Sequence, residues 1–307
     1  MIHLVSLNPA LDISFDLKDP SKGKIGQVLN TQLEPGGKAL NVARFLKKAR
    51  VPFRLWLGTG GGVHPTHLLY RTLLSQERIK AEFLSDRTPI RFNTVLKQGK
   101  RSKKFNHLGF ETVFSGFDKL FRSVKKGDIL VLAGRLPQGD DQALYASWID
   151  IFQRKGVRVA VDTSGTALAF AFKAKPWFFK VNRHELAEGL SVKVKNLKDV
   201  VGLVKKNWLK RGFGRGAVTD GAAGAVLWRY PECYWIRTPR SKKDFVVGAG
   251  DGFLAGYLYA FRSNKPLKAA GLMAGAFGSE VADQGIQGFT LSGMKRKQRS
   301  ITVRRVL

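Results

Sequence analysis

A run of small residues before a single acid is the segment of this chain best suited to chemistry. It consists of Gly248, Ala249, Gly250 and Asp251, and the apolar residues that follow recur with a helical period. Small residues let backbone N–H groups approach a ligand closely, and free N–H groups at a helix start bind anions such as phosphate. Asp251 is then either an ordinary acid of a first helical turn or a general base. The segment predicts an anion site beside a carboxylate.

A second glycine turn also leads into a helical pattern. It carries Gly37, Lys38 and Asn41, whose backbone and side chains suit a polyhydroxylated or phosphorylated ligand. A lysine exposed on an ordinary turn is the alternative interpretation. This segment alone does not decide between the two.

The segment 180–185, at the end of a predicted strand, also has two interpretations. Asn182 can cap the next helix with Glu185 as its third residue, which makes a structural capping pair. Alternatively, both side chains organise a hydrated Mg²⁺ beside a nucleotide, because magnesium prefers oxygen ligands and keeps several waters. Lys180 precedes them in the same strand.

Another small-residue turn follows the next predicted strand. Its residues are Thr219, Asp220, Gly221 and Gly224. The turn suits backbone contact with a nucleotide, and it equally suits an ordinary hairpin.

The elements that must position these segments alternate along the chain. Short apolar runs rich in β-branched residues are separated by longer stretches of helical period, which predicts an α/β fold with a doubly wound, mostly parallel sheet flanked by helices. The predicted strands are 2–7, 53–57, 128–133, 157–161, 177–181, 216–219 and 225–228. The predicted helices are 38–49, 66–76, 140–155, 182–190, 197–210, 252–261 and 267–283.

Two regions, about 12–34 and 88–107, do not follow this alternation and contain β-favouring stretches. They predict a small sheet that stands off the main one as a lid over the carboxyl edge of its strands; decorated surface loops are the alternative. The pattern otherwise indicates one domain over 1–307, with a basic C-terminal tail at 293–307. An exposed lid sheet can pair across a two-fold axis, so the sequence allows a homodimer through the lid.

The charge of the chain is unusual for such a fold. Its 307 residues include 53 Lys and Arg against 23 Asp and Glu, a net charge of +30 with a pI near 10.5. That balance is typical of nucleic-acid binders. The basic residues form several separate runs, however, and no zinc-finger spacing, basic zipper or RNP-type strand accompanies them. Most are therefore expected to be solvated surface, and nucleic acid is not the expected partner.

Simple counts exclude other classes of protein. The longest wholly apolar run, 269–278, is about half of the ~20 residues that a membrane span requires. No secretory signal is visible before the first strand, and the single cysteine, Cys233, allows no internal disulfide. A reducing cytoplasm is the expected compartment.

Taken in order, these segments resemble the ribokinase-like PfkB carbohydrate kinases, in the branch that contains 1-phosphofructokinase, tagatose-6-phosphate kinase and the PfkB-type 6-phosphofructokinases. The resemblance is carried by S-L-N-P-A-L-D at 6–12, G-G-K-A-L-N-V-A at 36–43, Arg91 with Asn93, A-G-R-L-P at 133–137, D-T-S at 162–164, Asn182 with Glu185, and G-A-G-D at 248–251. It covers residues 1 to about 285 and is more specific for the family than for the sugar.

The resemblance implies an ATP-dependent kinase that uses Mg²⁺. Asp251 is expected to accept the proton of the sugar hydroxyl, while the N–H groups of the glycine turn before it stabilise the phosphoryl oxygens. Glu185 and Asn182 are expected to place Mg²⁺. The residues expected to contact the nucleotide are Lys180, Asn182, Thr219, Asp220, Gly221 and Gly224.

On the substrate side the resemblance implies a ketohexose phosphate. The residues expected to bind it are Asp12, Gly37, Lys38, Asn41, Arg91 and Arg135. Arg91 and Lys38 are the candidates for the phosphate that the substrate already carries, and the planar fork of an arginine suits that task. The block 105–111 is similar to that of 1-phosphofructokinases, so conversion of fructose 1-phosphate to fructose 1,6-bisphosphate is the first reaction expected.

Three positions depart from the family pattern. A usual threonine is Val246, a usual serine or threonine after the aspartate is Gly252, and Arg135 replaces a serine. The lost hydroxyls predict slower turnover, and Arg135 either strengthens phosphate binding or blocks the usual pose of the substrate. With the +30 charge, these departures motivate one alternative: a non-catalytic relative that binds a sugar phosphate, a nucleotide or nucleic acid.

Overall fold

The computed structural model describes residues 1–18, 26–85, 87–99, 101–112, 114–206, 212–241 and 247–307. Val246, the 207–210 end of one predicted helix and the 19–25 part of the predicted lid lie outside these residues.

The described residues form fourteen strands and ten α-helices. The strands are β1 Ile2–Ser6, β2 Ala10–Leu17, β3 Val28–Gly36, β4 Phe53–Leu57, β5 Ala81–Phe83, β6 Arg91–Gln98, β7 Arg101–Asn106, β8 Ile129–Ala133, β9 Arg158–Asp162, β10 Phe178–Asn182, β11 Arg215–Thr219, β12 Ala225–Arg229, β13 Glu232–Arg237 and β14 Thr302–Arg305. The helices are α1 Lys38–Lys48, α2 Pro65–Gln76, α3 Phe117–Ser123, α4 Leu144–Arg154, α5 Thr166–Lys173, α6 Arg183–Leu190, α7 Leu197–Lys205, α8 Ala249–Arg262, α9 Leu267–Gly288 and α10 Leu291–Gln298. None of these helices is both long and apolar enough to cross a membrane.

Ten strands form one large sheet in the order β14-β13-β12-β11-β10-β9-β8-β1-β4-β5. The strands from β11 to β5 run parallel to one another, and β12, β13 and β14 are antiparallel to their neighbours. Helices cover both faces of this sheet. The predicted doubly wound α/β fold is therefore confirmed, with an antiparallel extension at one edge.

The core lies on the two faces of the large sheet. In β8, Ile129 and Val131 belong to the core formed with α1, α2, α8 and α9, whereas Leu130 and Leu132 belong to the core formed with α3 and α4. Successive side chains of a strand point to opposite faces, so a strand buried on both faces must be apolar throughout. This explains why such strands are easy to recognise in the sequence.

Four strands form a second, small sheet in the order β3-β2-β6-β7. β2 pairs in parallel with β6, which places Asp12 beside Asn93. Because side chains alternate between faces, Asp12 and Asn93 share one face of the small sheet, and Ile13 and Phe92 share the other. The regions about 12–34 and 88–107 thus contribute the small sheet that their β-favouring stretches predict.

Several elements carry no clear sequence pattern: α3, α5, α10, β5, β13 and β14. Helix α5 contributes to two adjoining cores, so it is apolar nearly all round and lacks an amphipathic period. Residues 293–307 are not a free basic tail, because they include most of α10 and all of β14. Strand β14 is an edge strand with exposed Arg304 and Arg305, and charged residues on an edge discourage pairing with other chains.

Candidate active site

A cavity of about 870 Å³ opens between the carboxyl ends of large-sheet strands and the small sheet. β10 and β11 end at it with Asn182 and Thr219, and the small sheet contributes Asp12, Asn93 and Lys104. Apart from Asp220, every site residue expected from the sequence lines this cavity: Asp12, Gly37, Lys38, Asn41, Arg91, Arg135, Lys180, Asn182, Glu185, Thr219, Gly221, Gly224, Gly248, Ala249, Gly250 and Asp251.

Helix α8 begins at the cavity with the glycine turn and brings Asp251 into it. Gly248 has φ 84°, and a Cβ there would lie 2.6 Å from Cγ1 of Ile286, so both the backbone and the packing require glycine. Among the described residues, no side chain caps this helix. The first N–H groups, including those of Ala249 and Gly250, therefore lack intrahelical partners. The turn presents N–H donors and a carboxylate at one place.

Asp251 is buried, with 6% of its surface exposed. Burial raises the pKa of Asp251 to about 6, and the nearby carboxylate of Asp162 adds to that rise. Lys38, Lys180 and a hydrogen bond from Asn41 act in the opposite direction. Nδ2 of Asn41 donates to Oδ2 of Asp251 over 2.7 Å. A carboxylate with this pKa is ionised at neutral pH yet accepts a proton more readily than an ordinary aspartate.

Asp162, at the end of β9, is a fixed negative charge beside this carboxylate. It is fully buried, and its two oxygens accept hydrogen bonds from Nζ of Lys38 at 2.6 Å and Nζ of Lys180 at 2.9 Å. Although burial opposes ionisation, the two ammonium groups hold the pKa of Asp162 below its usual range. Burial likewise opposes charge on Lys38, but Asp162 and Glu185 raise the pKa of Lys38 above its usual value.

Lys180 packs directly under the first turn of α8. A Cβ on Gly250 would lie 2.8 Å from its Nζ, so a larger residue would displace the ammonium group from its place beside Asp162. The positive charge therefore lies next to the free N–H groups of the helix start. Together they form a positive region beside Asp251 that suits phosphoryl oxygens.

Asn182 and Glu185 form the capping pair of α6. Oδ1 of Asn182 accepts from the backbone N–H of Glu185, and Oε2 of Glu185 accepts from that of Asn182, both at 2.8 Å. The other oxygen, Oε1, lies 4.0 Å from Nζ of Lys38. Within the described ranges, no cluster of three or more His, Cys, Asp or Glu side chains could hold a metal by itself. Mg²⁺ commonly takes one or two carboxylates together with phosphates and water, so this arrangement fits a metal ion that arrives with a nucleotide.

The turn after β11 closes another part of the cavity. Thr219, Gly221 and Gly224 line it, and Gly224 has φ 95°. A Cβ on Gly224 would lie 2.0 Å from the carbonyl oxygen of Ile236 in β13. Glycine therefore lets the backbone of this turn pack directly against β13 at the edge of the cavity.

Asp220 does not join these residues, contrary to expectation. Its Oδ2 accepts a hydrogen bond from Nε of Arg183 at 3.0 Å, and Asp220 is not among the residues that line the cavity. Arg183 is the first residue of α6, the helix that follows β10. Its guanidinium group pairs with the carboxylate of Asp220. The contact depends on the pairing of β10 with β11 and has no local sequence signal.

The small sheet holds Arg91 and Asp12 at the opposite end of the cavity. Nδ2 of Asn93 donates to Oδ1 of Asp12 at 2.7 Å, and Oδ1 of Asn93 accepts from Nη1 of Arg91 at 2.5 Å. Arg91 also donates to the carbonyl oxygens of Asn8, at 3.2 and 3.3 Å, and of His107, at 2.7 Å. These bonds fix the guanidinium group in the cavity wall.

Arg135 is a second arginine in this wall. It is exposed, and its Nε donates to Oγ of Ser164 at 2.9 Å. Burial lowers the pKa of Arg91; Asp12 opposes that effect, and the charge of Arg135 adds to it. The two guanidinium groups therefore repel each other, and an anion between them would relieve that repulsion. Lys104 lines the same end.

The structure gives a physical reason for one departure from the family pattern. A Cβ on Gly252 would lie 2.9 Å from Cγ2 of Val281 and 3.2 Å from the carbonyl oxygen of Phe277. Helices α8 and α9 thus pack so closely that a serine or threonine at this position would push them apart.

Some residues of the site carry no assignment from sequence reasoning. Asp162 appears there only within the D-T-S block, although an acid at the carboxyl end of a predicted strand was an available signal. Thr238 and Arg240 also line the cavity, but they follow β13, a strand that the pattern does not predict.

Comparisons with known proteins agree with this fold. A model of the pfkB family of carbohydrate kinases matches residues 5–288. The 1-phosphofructokinase of Bacillus subtilis is 31% identical over 285 residues, which cover 92% of this chain and 92% of that protein.

Solved structures share the whole fold. Phosphofructokinase-2 from Escherichia coli in complex with substrates and products has a TM-score of 0.87 and 22% identity, covering 97% of this chain and 98% of that one. A tetrameric inhibited form of phosphofructokinase-2 from the same organism has a TM-score of 0.84 at 22% identity, with the same coverage.

Proposed function

This chain belongs to the pfkB family of carbohydrate kinases, and we propose that it transfers the γ-phosphate of ATP to fructose 1-phosphate to give fructose 1,6-bisphosphate. The coarser activity, that of an ATP-dependent kinase acting on a sugar phosphate, follows from the family and from relatives named 1-phosphofructokinase. One observation carries the phosphoryl transfer: Asp251 is a buried carboxylate with a pKa of about 6 at a helix start with free N–H groups. The choice of fructose 1-phosphate is supported by the relatives named 1-phosphofructokinase.

Asp251 is the general base in this proposal. It accepts the proton of the attacking hydroxyl as that oxygen bonds to the γ-phosphorus and the bond from the γ-phosphorus to ADP breaks. The hydrogen bond from Asn41 orients the carboxylate. General-base catalysis of this kind contributes about 10²–10⁴-fold to the rate.

The first turn of α8 stabilises the transferred phosphoryl group. The N–H groups of Ala249 and Gly250 donate to its oxygens, and Lys180 adds positive charge beneath them. Asp162 holds Lys180 and Lys38 in place before the substrates bind. The donors therefore need no reorganisation during the reaction, which is the main source of electrostatic catalysis.

Glu185 would hold the Mg²⁺ that accompanies ATP, with Asn182 fixing its orientation through the cap. When bound, the metal ion neutralises charge that develops on the β- and γ-phosphates. The small-residue turn with Thr219, Gly221 and Gly224 offers backbone contact to the nucleotide.

The small-sheet end of the cavity receives the phosphate that the substrate already carries. Arg91 and Arg135 bind it there. Among the described residues, no acid forms an ion pair with Arg135, so its charge is available to the phosphate. Lys38, the other candidate from the sequence, donates to Asp162 and lies near Asp251. We therefore assign it to the transferred phosphate and not to the phosphate that the substrate already carries. Asp12 is left to bind sugar hydroxyls.

A substrate panel tests the proposed function. The purified chain with Mg·ATP is expected to turn over fructose 1-phosphate with a higher kcat/KM than fructose 6-phosphate or tagatose 6-phosphate, measured by ADP release. A higher value for another member would keep the kinase and change the substrate. Thermal stabilisation by these ligands without turnover would instead favour the non-catalytic binder. Nucleic-acid binding that weakens steeply with salt would favour the variant suggested by the +30 charge.

We further propose that the chain forms a homodimer through the outer face of the small sheet. This face carries Ile13, Phe15, Phe92, Leu96 and Phe105, of which Phe92 and Phe105 are 40% and 46% exposed. Exposed aromatic residues on one sheet face are typical of an interaction surface, and a two-fold axis can pair the face with itself. The tetrameric phosphofructokinase-2 shows that a relative of this fold oligomerises.

Light scattering after gel filtration tests the homodimer. The wild type is expected at twice the chain mass, and Phe92→Asp is expected to run as a monomer. A monomeric wild type at micromolar concentration would contradict the proposal.

A further inference from the structure

We infer that Arg44, anchored by Glu77, is a positioning residue for the reaction: it fixes the side-chain amide of Asn41 so that its N–H group faces Asp251. Arg44 would act through the general base, so this role rests on the proposed function.

The contacts run in a line from Glu77, the residue that follows α2, to the base. Asn41 and Arg44 are three residues apart in α1 and therefore lie on one face of that helix. Nη1 of Arg44 donates to Oδ1 of Asn41 at 2.8 Å, and Nδ2 of Asn41 donates to Oδ2 of Asp251 at 2.7 Å. Both α1 side chains are buried, so water does not compete freely for these bonds.

Arg44 is itself held rigidly. Its Nε and Nη2 donate to the two carboxylate oxygens of Glu77 at 2.7 and 2.5 Å, and Nη2 also donates to the carbonyl oxygen of Pro35 at 2.7 Å. Although burial opposes its charge, Glu77 keeps the pKa of Arg44 above its usual value. A bidentate pair with a third bond leaves the planar guanidinium group one orientation.

That orientation decides which end of the Asn41 amide reaches the base. The oxygen and nitrogen ends of an amide have nearly the same shape, and only the hydrogen bonds around them distinguish the two. A flipped amide would place two donors against each other at Arg44 and an oxygen against the carboxylate of Asp251. Without Arg44, the flipped amide becomes favourable as soon as Asp251 is protonated, because its oxygen then accepts the carboxylic proton. Arg44 therefore disfavours the protonated, inactive base.

In the described part of the chain, the other charged groups that face Asp251 are Asp162 from β9, Lys180 from β10 and Lys38 from α1. The two lysines are joined to Asp162 by hydrogen bonds that do not involve Asn41. Substitution of Arg44 leaves these bonds in place. A change in the pH at which Asp251 is protonated would therefore reflect the orientation of the Asn41 amide.

A double-mutant cycle tests the inference through the pH dependence of kcat/KM for fructose 1-phosphate. Arg44→Met is expected to move the acid limb upwards by about one pH unit, since the flipped amide can then accept a hydrogen bond from the protonated carboxyl group of Asp251. Asn41→Ala is expected to move it similarly. In the double variant, Arg44→Met should add nothing further, because it acts through Asn41.

Matched variants separate positioning from mere stability. Tyr70→Phe removes the bond from Tyr70 Oη to the carbonyl oxygen of Gly36, a contact made by α2, the helix that Glu77 follows. It should leave the acid limb unmoved. Arg44→Lys keeps the charge without the fork and should recover only part of the shift. If Arg44→Met does not fold, Glu77→Gln replaces it in the cycle, because it weakens the anchor and keeps the arginine.

The outcomes are distinguishable. An active wild type with an unmoved acid limb in the folded variants, or shifts that add in the double variant, would overturn the role of Arg44 alone. A wild type that turns over no sugar phosphate would overturn the proposed function and this role together.

Discussion

The floor of the cavity and its small-sheet wall carry charges of the same kinds but hold them in opposite ways. In the floor, formed by Lys38, Asp162, Lys180 and Asp251, the two lysines bond to one fully buried acid. In the wall, Arg91 is held mainly by carbonyl oxygens and by Asn93, and Arg135 is exposed.

Burial explains the difference. A buried charge must be paired, since desolvation costs several kcal/mol per ion. In the wall, the partly buried Arg91 is stabilised by neutral oxygens of the protein, and the exposed Arg135 is stabilised by water. Paired floor charges have fixed positions, and the pKa of Asp251 among them is raised, which suits bond making and proton transfer. Wall charges remain available to an incoming anion, which suits substrate binding. Changes in the floor should therefore alter kcat and stability, and changes in the wall should alter KM.

The largest effect is expected from Asp251→Asn. Removal of the base should lower kcat by about 10²–10⁴-fold and change the KM for fructose 1-phosphate by only a few-fold. Steady-state kinetics at pH 7.5 or so measure both constants. A variant that keeps most of its kcat would show that the floor does not supply the base.

Asp162→Asn should lower the free energy of unfolding more than any single substitution in the wall does. It leaves two buried or half-buried ammonium groups without their shared partner, a loss of about 3–5 kcal/mol in the free energy of unfolding. Urea unfolding at neutral pH measures it. The control is Asp16→Asn, an exposed acid of the small sheet 3.9 Å from Nζ of Lys97, whose loss should cost less than about 1 kcal/mol. Equal effects would remove the distinction between floor and wall.

The raised pKa of Asp251 gives the floor its own pH dependence. With a pKa of about 6, kcat/KM should fall about tenfold per pH unit below that value. The ionised form is the one that burial disfavours, so the cost to folding appears as the pH rises from 3.8 through 6. Asp251→Asn should therefore match the wild type in stability near pH 4 and exceed it by about 3 kcal/mol above pH 6. A constant difference at all pH values would contradict the shift.

The features that the sequence predicts are those with local signals. The glycine turn before Asp251 and the strands of the doubly wound sheet carry local signals, namely small residues at a helix start and uninterrupted apolar runs. The small sheet was predictable because its two regions lack helical period. These signals arise from residues that are neighbours along the chain.

The missed features depend on contacts between distant segments. Asp162 gains its role only because β9 and β10 are neighbours and α1 lies above them, and Asp220 loses its expected role to Arg183 in the same way. The basic residues at 293–307 suggest a tail because β14 is short and Val303 is its one apolar residue, so no alternating pattern marks the strand. Glu77 and Arg44 likewise meet only in the folded chain.

In the wall, Arg91→Met should raise the KM for fructose 1-phosphate by about tenfold or more and leave kcat within a few-fold. The reason is the loss of a charge-assisted contact to phosphate, worth roughly 1.5–3 kcal/mol. Steady-state kinetics with fructose 1-phosphate measure the effect, and fructose, which lacks the phosphate, is the control substrate. An equal rise in the KM for fructose would mean that Arg91 stabilises the fold and does not bind the phosphate.

The smallest effect is expected from Arg135→Ser, which restores the residue usual in the family. Arg135 is exposed, and the side-chain bond that holds it is the one to Ser164, so its pull on a phosphate is partly screened by water and salt. The KM should rise by only a few-fold at low ionic strength, and the difference from the wild type should shrink as salt is added, because the wild type loses more. Kinetics over roughly 0.05–0.3 M salt measure both trends against the Debye length. A lower KM in Arg135→Ser would mean that the arginine obstructs the substrate, and the wall would then select by exclusion as well as by attraction.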